Sequence, residues 1–298
     1  MARDADSGEL VWAYQLTPHD EWDYDAANEN ILLDLPIGDE TRKALVHFDK
    51  NGFAYVLDRT NGEVLSAETF GEGVNWASEI DLETGLPVRN PEKATAQGVS
   101  VTDICPSAMG YKDRQPASYS PRTELFYVST NNLCMDYMGT EGMYVSGVPY
   151  LGVNVQTKAG PGGHRGALMA WNPVKSEKVW EIKENFSVWS GVLTTGGDVV
   201  FYGTLDGWFK AVDATTGEVL WKFKTGSGII GAPITYLGPD GEQYIAILSG
   251  VGGWPGLVVS GDLALDDPTV ALGAVDAFSD LGRYTNQGGM LHVFSLDD

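Results

Sequence analysis

The stretch Ala211-Val212-Asp213-Ala214-Thr215-Thr216-Gly217-Glu218-Val219-Leu220-Trp221 decides the fold, because it recurs along the chain. It fits an eleven-residue pattern, A-x-D-x-x-T-G-x-x-x-W, which Ala2 to Trp12 also follows with Ser7 in place of the threonine. Ala170 to Trp180 keeps the spacing but carries Asn172, Lys175 and Ser176 at three key places. Val56 to Ser66 keeps Asp58 and Gly62 and loses the final tryptophan. Alternation before the aspartate marks a strand, the aspartate and Thr-Gly pair build a tight turn, and the tryptophan lies on the returning strand. A tryptophan at the same place in successive units can pack between adjacent sheets and bury a large area each time.

Starts at residues 2, 56, 170 and 211 are consistent with units of roughly forty to fifty residues, one of them lacking the motif. The turn signals agree: Asn51-Gly52, Asn61-Gly62, Thr195-Gly196-Gly197, Leu205-Asp206-Gly207 and Pro239-Asp240-Gly241 punctuate runs such as Asp198-Val199-Val200-Phe201-Tyr202. Strand, turn and strand follow one another with almost no helical periodicity, which predicts propeller blades rather than a solenoid. The predicted fold is all-β, an open partial propeller of about four antiparallel four-stranded blades. Met1 runs straight into Ala2-Arg3-Asp4, so half of a larger ring is expected rather than a closed ring of four.

Composition narrows the function. With 41 carboxylates against 19 Lys and Arg, the formal charge is −22, and a nucleic-acid role is excluded for want of a basic face. The charge serves solubility, or attraction to a basic partner or a hard cation. No apolar stretch is long enough for a transmembrane helix, and no n-region and h-region open the chain. The only two cysteines, Cys105 and Cys134, read equally as buried free thiols or as one disulfide in an oxidising compartment.

Three stretches carry a more specific signal: Thr17-Pro18-His19-Asp20-Glu21-Trp22-Asp23-Tyr24-Asp25, Asp103-Ile104-Cys105-Pro106-Ser107-Ala108-Met109-Gly110 and Gly250-Val251-Gly252-Gly253-Trp254-Pro255-Gly256. Together with the repeat, which resembles a tryptophan-docking motif, they resemble the large subunits of methanol dehydrogenases that depend on pyrroloquinoline quinone (PQQ). The lanthanide-dependent type is the nearest likeness. The resemblance runs through the whole chain, residues 1–298, but covers only about the C-terminal half of that family's eight-bladed quinoprotein propeller.

The resemblance implies roles. Asp23 would be the catalytic base, taking the hydroxyl proton as hydride passes from the alcohol carbon to PQQ, and also a metal ligand. Two residues on, Asp25 would point the same way on an extended segment. Two carboxylates on one face repel unless a cation lies between them. Where the calcium type typically has Ala, the lanthanide type has Asp, as here, and an added carboxylate suits a trivalent ion of calcium-like radius. Lys50 matches a position kept as Arg or Lys that reaches the reactive quinone oxygens; as a point charge it offers less geometry than Arg. Asp113 and Trp189 match quinone-side positions, and Trp254 an aromatic wall of the substrate pocket. Cys105 and Cys134 match the family's paired cysteines, which favours the disulfide. The remaining metal ligands and the groups gripping the PQQ carboxylates would lie in the missing N-terminal half.

Other signals are set aside. Gly226-Ser227-Gly228-Ile229-Ile230-Gly231 spells G-x-G-x-x-G, but Ala232-Pro233-Ile234-Thr235-Tyr236 continues as a strand, not the helix a dinucleotide needs. His19, His47, His164 and His292 lack zinc spacing. Asp4-Ala5-Asp6-Ser7-Gly8-Glu9 imitates a calcium loop, yet the docking motif explains it. No C-x-x-C-H haem site occurs, so any electron acceptor is expected to be a separate protein, which the resemblance implies is a soluble cytochrome c. The expected protein is a periplasmic oxidoreductase of small primary alcohols using PQQ and a lanthanide or calcium ion, homodimeric at full length, with this chain alone inactive. The rival reading is a non-catalytic propeller scaffold for interaction or assembly, which has no reason to keep Asp23, Asp25 and Lys50 together. A third reading, a PQQ enzyme for sugars or longer alcohols, differs only in the pocket.

Overall fold

The computed structural model describes residues 1–147, 151–261, 263–264, 266, 270–271 and 273–296. The docking motif builds the same hairpin in its complete copy and in the copy with Ser7 in place of the threonine. Asp213 Oδ1 accepts the amides of Thr215 and Thr216 at 2.9 and 2.8 Å and the Thr216 hydroxyl at 3.0 Å. Asp4 Oδ1 repeats this with Asp6 N, Ser7 N and the Ser7 hydroxyl, at 3.0, 2.8 and 3.0 Å. Amide donors hold both carboxyls below the usual aspartate range. The acid-rich Asp4–Glu9 segment is therefore a turn whose carboxylate faces backbone donors.

Three antiparallel four-stranded sheets follow. The first joins Ile31–Ile37, Glu40–Phe48, Phe53–Asp58 and Val64–Thr69, in that order. Ser118–Ser120, Leu125–Asn131, Gly166–Asn172 and Glu177–Glu184 make the second. The third consists of Leu193–Thr194, Val199–Gly203, Trp208–Asp213 and Val219–Lys224. A three-stranded fourth sheet orders Ile234–Leu237, Gln243–Ser249 and Met290–Ser295. Ala2–Arg3 and Leu10–Trp12 pair as a separate hairpin that joins no other sheet among the described residues. The four blades are thus three of four strands and one of three, open rather than closed on themselves.

Successive motifs dock in a fixed way. The Trp12 indole covers Gly62, where an added Cβ would fall 2.7 Å from its ring, and Trp12 Nε1 donates to Arg59 O at 3.0 Å. Trp180 covers Gly217 at 2.8 Å and donates to Ala214 O at 3.1 Å. Both glycines have left-handed φ, 81° and 75°. Between them, Ser66 stands where the tryptophan would be and its hydroxyl meets that of Ser176 at 2.8 Å. Ser176 also has a left-handed φ of 52°; a side chain fits at this glycine position because no indole covers it.

Two insertions depart from the regular repeat expected from the sequence. The long interval between the motifs starting at 56 and 170 contains no motif-less blade. Apart from the first two strands of the second blade, it holds the hairpin Ala77–Asp81 with Leu86–Arg89 and a sheet of Val153–Ala159, Leu133–Gly139 and Ser100–Ile104. These cover the first blade, where Trp22, Tyr24, Trp76 and Met135 pack with Phe53 and Tyr55. The second insertion interrupts the fourth sheet with the helices Gly253–Val259 and Val275–Phe278. It is tied to the second blade by Arg165, whose guanidinium takes Asp280 through two oxygens at 2.6 and 3.0 Å. The same group reaches Ala277 O at 2.9 Å and lies 3.9 Å over the Phe186 ring. As expected, Ile234–Leu237, just after Gly226–Gly231, is a strand.

Candidate functional site

The site grows from the loop 17–25, in which alternate residues take opposite roles. Trp22 and Tyr24 are fully buried, stack 5.6 Å apart, and are pinned by Trp22 Nε1 donating to Lys93 O at 2.9 Å and Tyr24 OH to Pro106 O at 2.6 Å. Asp23 and Asp25, between and beyond them, are exposed and share the opposite face. Asp23 sits at φ 69°, a left-handed conformation that costs a non-glycine residue about 1–2 kcal/mol. The strain is offset by the groups that fix the loop on either side.

Lys50 supplies the cation. Its Nζ donates to Asp23 Oδ2 at 3.2 Å, with the lysine side chain only 10% exposed and that of the aspartate 68%. The turn carrying it is over-determined. Asp49 Oδ1 accepts Asn51 N at 2.9 Å, Asn51 Oδ1 accepts Phe53 N at 3.0 Å, and Asn51 Nδ2 donates to Thr17 Oγ1 at 3.0 Å. That last bond ties the lysine turn to the start of the aspartate loop. His47 is structural, one ring nitrogen facing Glu29 O at 3.1 Å and the other Asp49 Oδ2 at 3.0 Å.

The Asp23 carboxyl is held above the usual aspartate range. Partial desolvation of the carboxyl by the surrounding protein is the largest cause; Lys50 opposes it, and Asp25 adds to it by hydrogen bonding and by charge. The two aspartates are therefore near enough for one to disfavour ionisation of the other. Such an oxygen-only pair fits a hard cation, which would relieve the repulsion. Among the described residues no group of three or more His, Cys, Asp and Glu side chains forms a fuller metal site.

A chain of contacts leads from Lys50 to the tryptophans. Gly110, at φ 72°, lies against the lysine stem, where an added Cβ would fall 2.4 Å from Lys50 Cγ. Asn131, fully buried, donates to Gly110 O at 3.0 Å and accepts Trp189 Nε1 at 2.9 Å. An added Cβ on Gly253, at the start of the helix bearing Trp254, would lie 3.9 Å from the Trp189 ring. Asp113 is half-buried, follows the buried Lys112 and precedes Arg114, whose guanidinium stands 5.8 Å from the Trp189 ring centre. Cys105 and Cys134 are bonded, with Cα atoms 4.4 Å apart. The structure thus brings Asp23, Asp25 and Lys50 into one cluster and sets Trp189 in a neighbouring one, beside the start of the helix that bears Trp254, with Asp113 on the segment between Gly110 and Arg114.

A family model described as "PQQ: Glucose/ethanol/alcohol dehydrogenase, beta-propeller domain" matches residues 1–67 and 161–245. The chain belongs to this PQQ dehydrogenase propeller family. It is 53% identical, over its whole length, to a lanthanide-dependent methanol dehydrogenase of Methylacidiphilum fumariolicum, of which it covers 49%. It is 48% identical to methanol dehydrogenase [cytochrome c] subunit 1 of Methylobacterium organophilum, covering all of the chain and 48% of that protein. Over 99% of its residues it superposes on a solved europium-containing methanol dehydrogenase with a TM-score of 0.94 and 53% identity, covering 52% of that chain. The chain spans about half the length of the relatives it matches. The matched family segments hold Asp23, Asp25, Lys50 and Trp189; Asp113, the disulfide and Trp254 lie outside them, in segments the methanol dehydrogenases share.

Sequence reasoning missed several residues that build this family site. Asn131 ends the strand that opens with the apolar run Leu125-Phe126-Tyr127-Val128, and a polar residue continuing a buried strand is a signal that its amide has a partner. Lys112, with no side-chain exposure, pairs with Glu29 Oε2 at 2.7 Å, and burial lowers its pKa. Nothing in the sequence marks that pair, because its members are far apart in the chain. Asp20, whose carboxylate accepts the amides of Trp22 and Tyr24, carries no signal of that role in the sequence.

Proposed function

We propose that this chain forms the Asp23 side of the active site of a PQQ-dependent dehydrogenase that oxidises small primary alcohols to aldehydes. The observation that carries the proposal is the strained Asp23 held against Lys50 with Asp25 on the same face. Bound PQQ would supply the two-electron acceptor and a bound lanthanide, or alternatively calcium, the Lewis acidity.

The residues of the chain divide the remaining work. Asp23 Oδ takes the hydroxyl proton as the carbinol hydride leaves, which requires the carboxyl to be ionised; Lys50 and a cation both favour that form. Lys50 Nζ stabilises negative charge developing beside it on reduction. Asp23 and Asp25 would hold the cation, with further ligands coming from the other half of the full-length protein. Asp113 and Trp189 would line the cofactor, and Trp254, exposed on its helix, the alcohol pocket. A soluble cytochrome c would accept the electrons. The Cys105–Cys134 bond supports an oxidising compartment, which we take to be the periplasm. A scaffold without catalysis would not need a left-handed aspartate beside a nearly buried lysine.

Dye-linked alcohol oxidation by the full-length protein, with a lanthanide or calcium in turn, tests the metal assignment. Asp25→Ala should weaken lanthanide-supported activity far more than any calcium-supported activity, because one carboxylate fewer lowers the charge offered to a trivalent ion. Undiminished lanthanide-dependent activity in that variant would contradict the assignment and leave the PQQ assignment in place.

A further inference from the structure

One carboxylate makes the Asp23 loop possible. Asp20 Oδ1 accepts the amide of Trp22 at 2.9 Å and Oδ2 the amide of Tyr24 at 2.6 Å, so its two oxygens grip the backbone on either side of Asp23. The indole and phenol of the gripped residues are separately anchored to Lys93 O and Pro106 O. Asp23 is thereby held at φ 69° with its carboxyl turned to Lys50. An unbraced non-glycine residue relaxes to the right-handed or extended region and would carry its carboxyl away. Only a carboxylate suits both amides: an asparagine amide has one acceptor oxygen and would present donors to the second N–H.

We propose that Asp20 is a positioning residue for alcohol oxidation, bracing the left-handed Asp23 so that its carboxylate stays at Lys50 and beside Asp25. The proposal rests on Asp23 being the base. It does not require Asp20 to touch substrate, cofactor or metal.

The test uses the full-length protein with Asp20→Ala, Asp20→Asn and, in parallel, Asp23→Asn. Steady-state kcat and KM are measured with thermal unfolding, and Tb³⁺ binding to the metal-free protein is read by tryptophan-sensitised luminescence. Asp20→Ala should lower kcat about 10- to 100-fold, the range expected for a misplaced reacting group, with KM little changed and Tb³⁺ affinity reduced. Asp20→Asn, keeping one acceptor, should recover part of the kcat. If Asp20→Ala does not fold, Asp20→Asn decides: reduced kcat at the parental melting temperature supports the brace, and parental kcat overturns it. Parental kcat in folded Asp20→Ala beside an inactive Asp23→Asn would overturn the brace alone. An active Asp23→Asn would remove the base assignment on which it stands. A loss of kcat that only tracks the lost folded fraction, with Tb³⁺ binding intact, would make Asp20 structural and overturn the proposal.

Discussion

Gly217 and Trp180 meet so closely that a single methyl group cannot be inserted between them: the added Cβ would lie 2.8 Å from the indole. Gly241 has a similar left-handed φ, 83°, but nothing within 4 Å of the same position. Gly241→Ala should therefore cost about 1 kcal/mol from backbone strain alone, and Gly217→Ala about 2–4 kcal/mol, because the clash adds to it. Urea midpoints of the two variants check this, and equal shifts would mean that the docking contact does not hold the blades together. At this scale the sequence was legible wherever the cause is local. The Asp-Thr-Gly turn and the docking tryptophan announce themselves within eleven residues. That Asp23, Asp25 and Lys50 belong to one constellation was legible from the stretches around them, and the structure sets the three side chains together. The grip of Asp20 on two amides was not, because it exists only once the loop has closed.

The elements least visible in the sequence are the insertions. The helices Gly253–Val259 and Val275–Phe278 are too short to show a periodicity or to stand alone; they persist through tertiary contacts such as Arg165 with Asp280 and Ala277 O. Hydrogen bonds to charged groups contribute roughly 1.5–3 kcal/mol each on mutation, so Arg165→Ala should lower stability by about 2–4 kcal/mol. It should also raise amide hydrogen exchange in residues 273–285 before the blades. The pair has a pH signature as well. Burial tends to raise the Asp280 pKa, but the hydrogen bonds and charge of Arg165 outweigh it and leave the carboxyl below its ordinary value. Its contribution is thus present above the ordinary aspartate range and lost as pH falls through the lowered value. The stability difference between parent and Arg165→Ala should shrink on acidification below about pH 4; a difference that grows there would contradict the assignment.

On the scale of the whole molecule, the fourth sheet is covered on one side only by the described residues. Ile245 and Ile247 pack inward with Phe209, whereas Ile234, Tyr236, Leu248, Leu291 and Val293 lie exposed on the opposite face. Contiguous apolar surface of this kind drives association. The isolated chain should therefore elute as concentration-dependent oligomers in size-exclusion chromatography with light scattering, and Leu248→Lys with Leu291→Lys should shift it toward monomer. A monomer at all concentrations would show that the face tolerates water. On the proposed reading the same chain should oxidise no alcohol by itself, since Asp23 and Asp25 would be only two of the ligands a metal needs.

The central claim, that Asp23 is the base of a PQQ alcohol dehydrogenase, is tested most directly by Asp23→Asn in the full-length protein loaded with PQQ and lanthanide. PQQ content is read from its absorbance, and turnover from dye-linked methanol oxidation. The account predicts a protein that retains PQQ and loses turnover by at least about a hundredfold, the scale of general-base catalysis. Parental turnover with PQQ bound would contradict it.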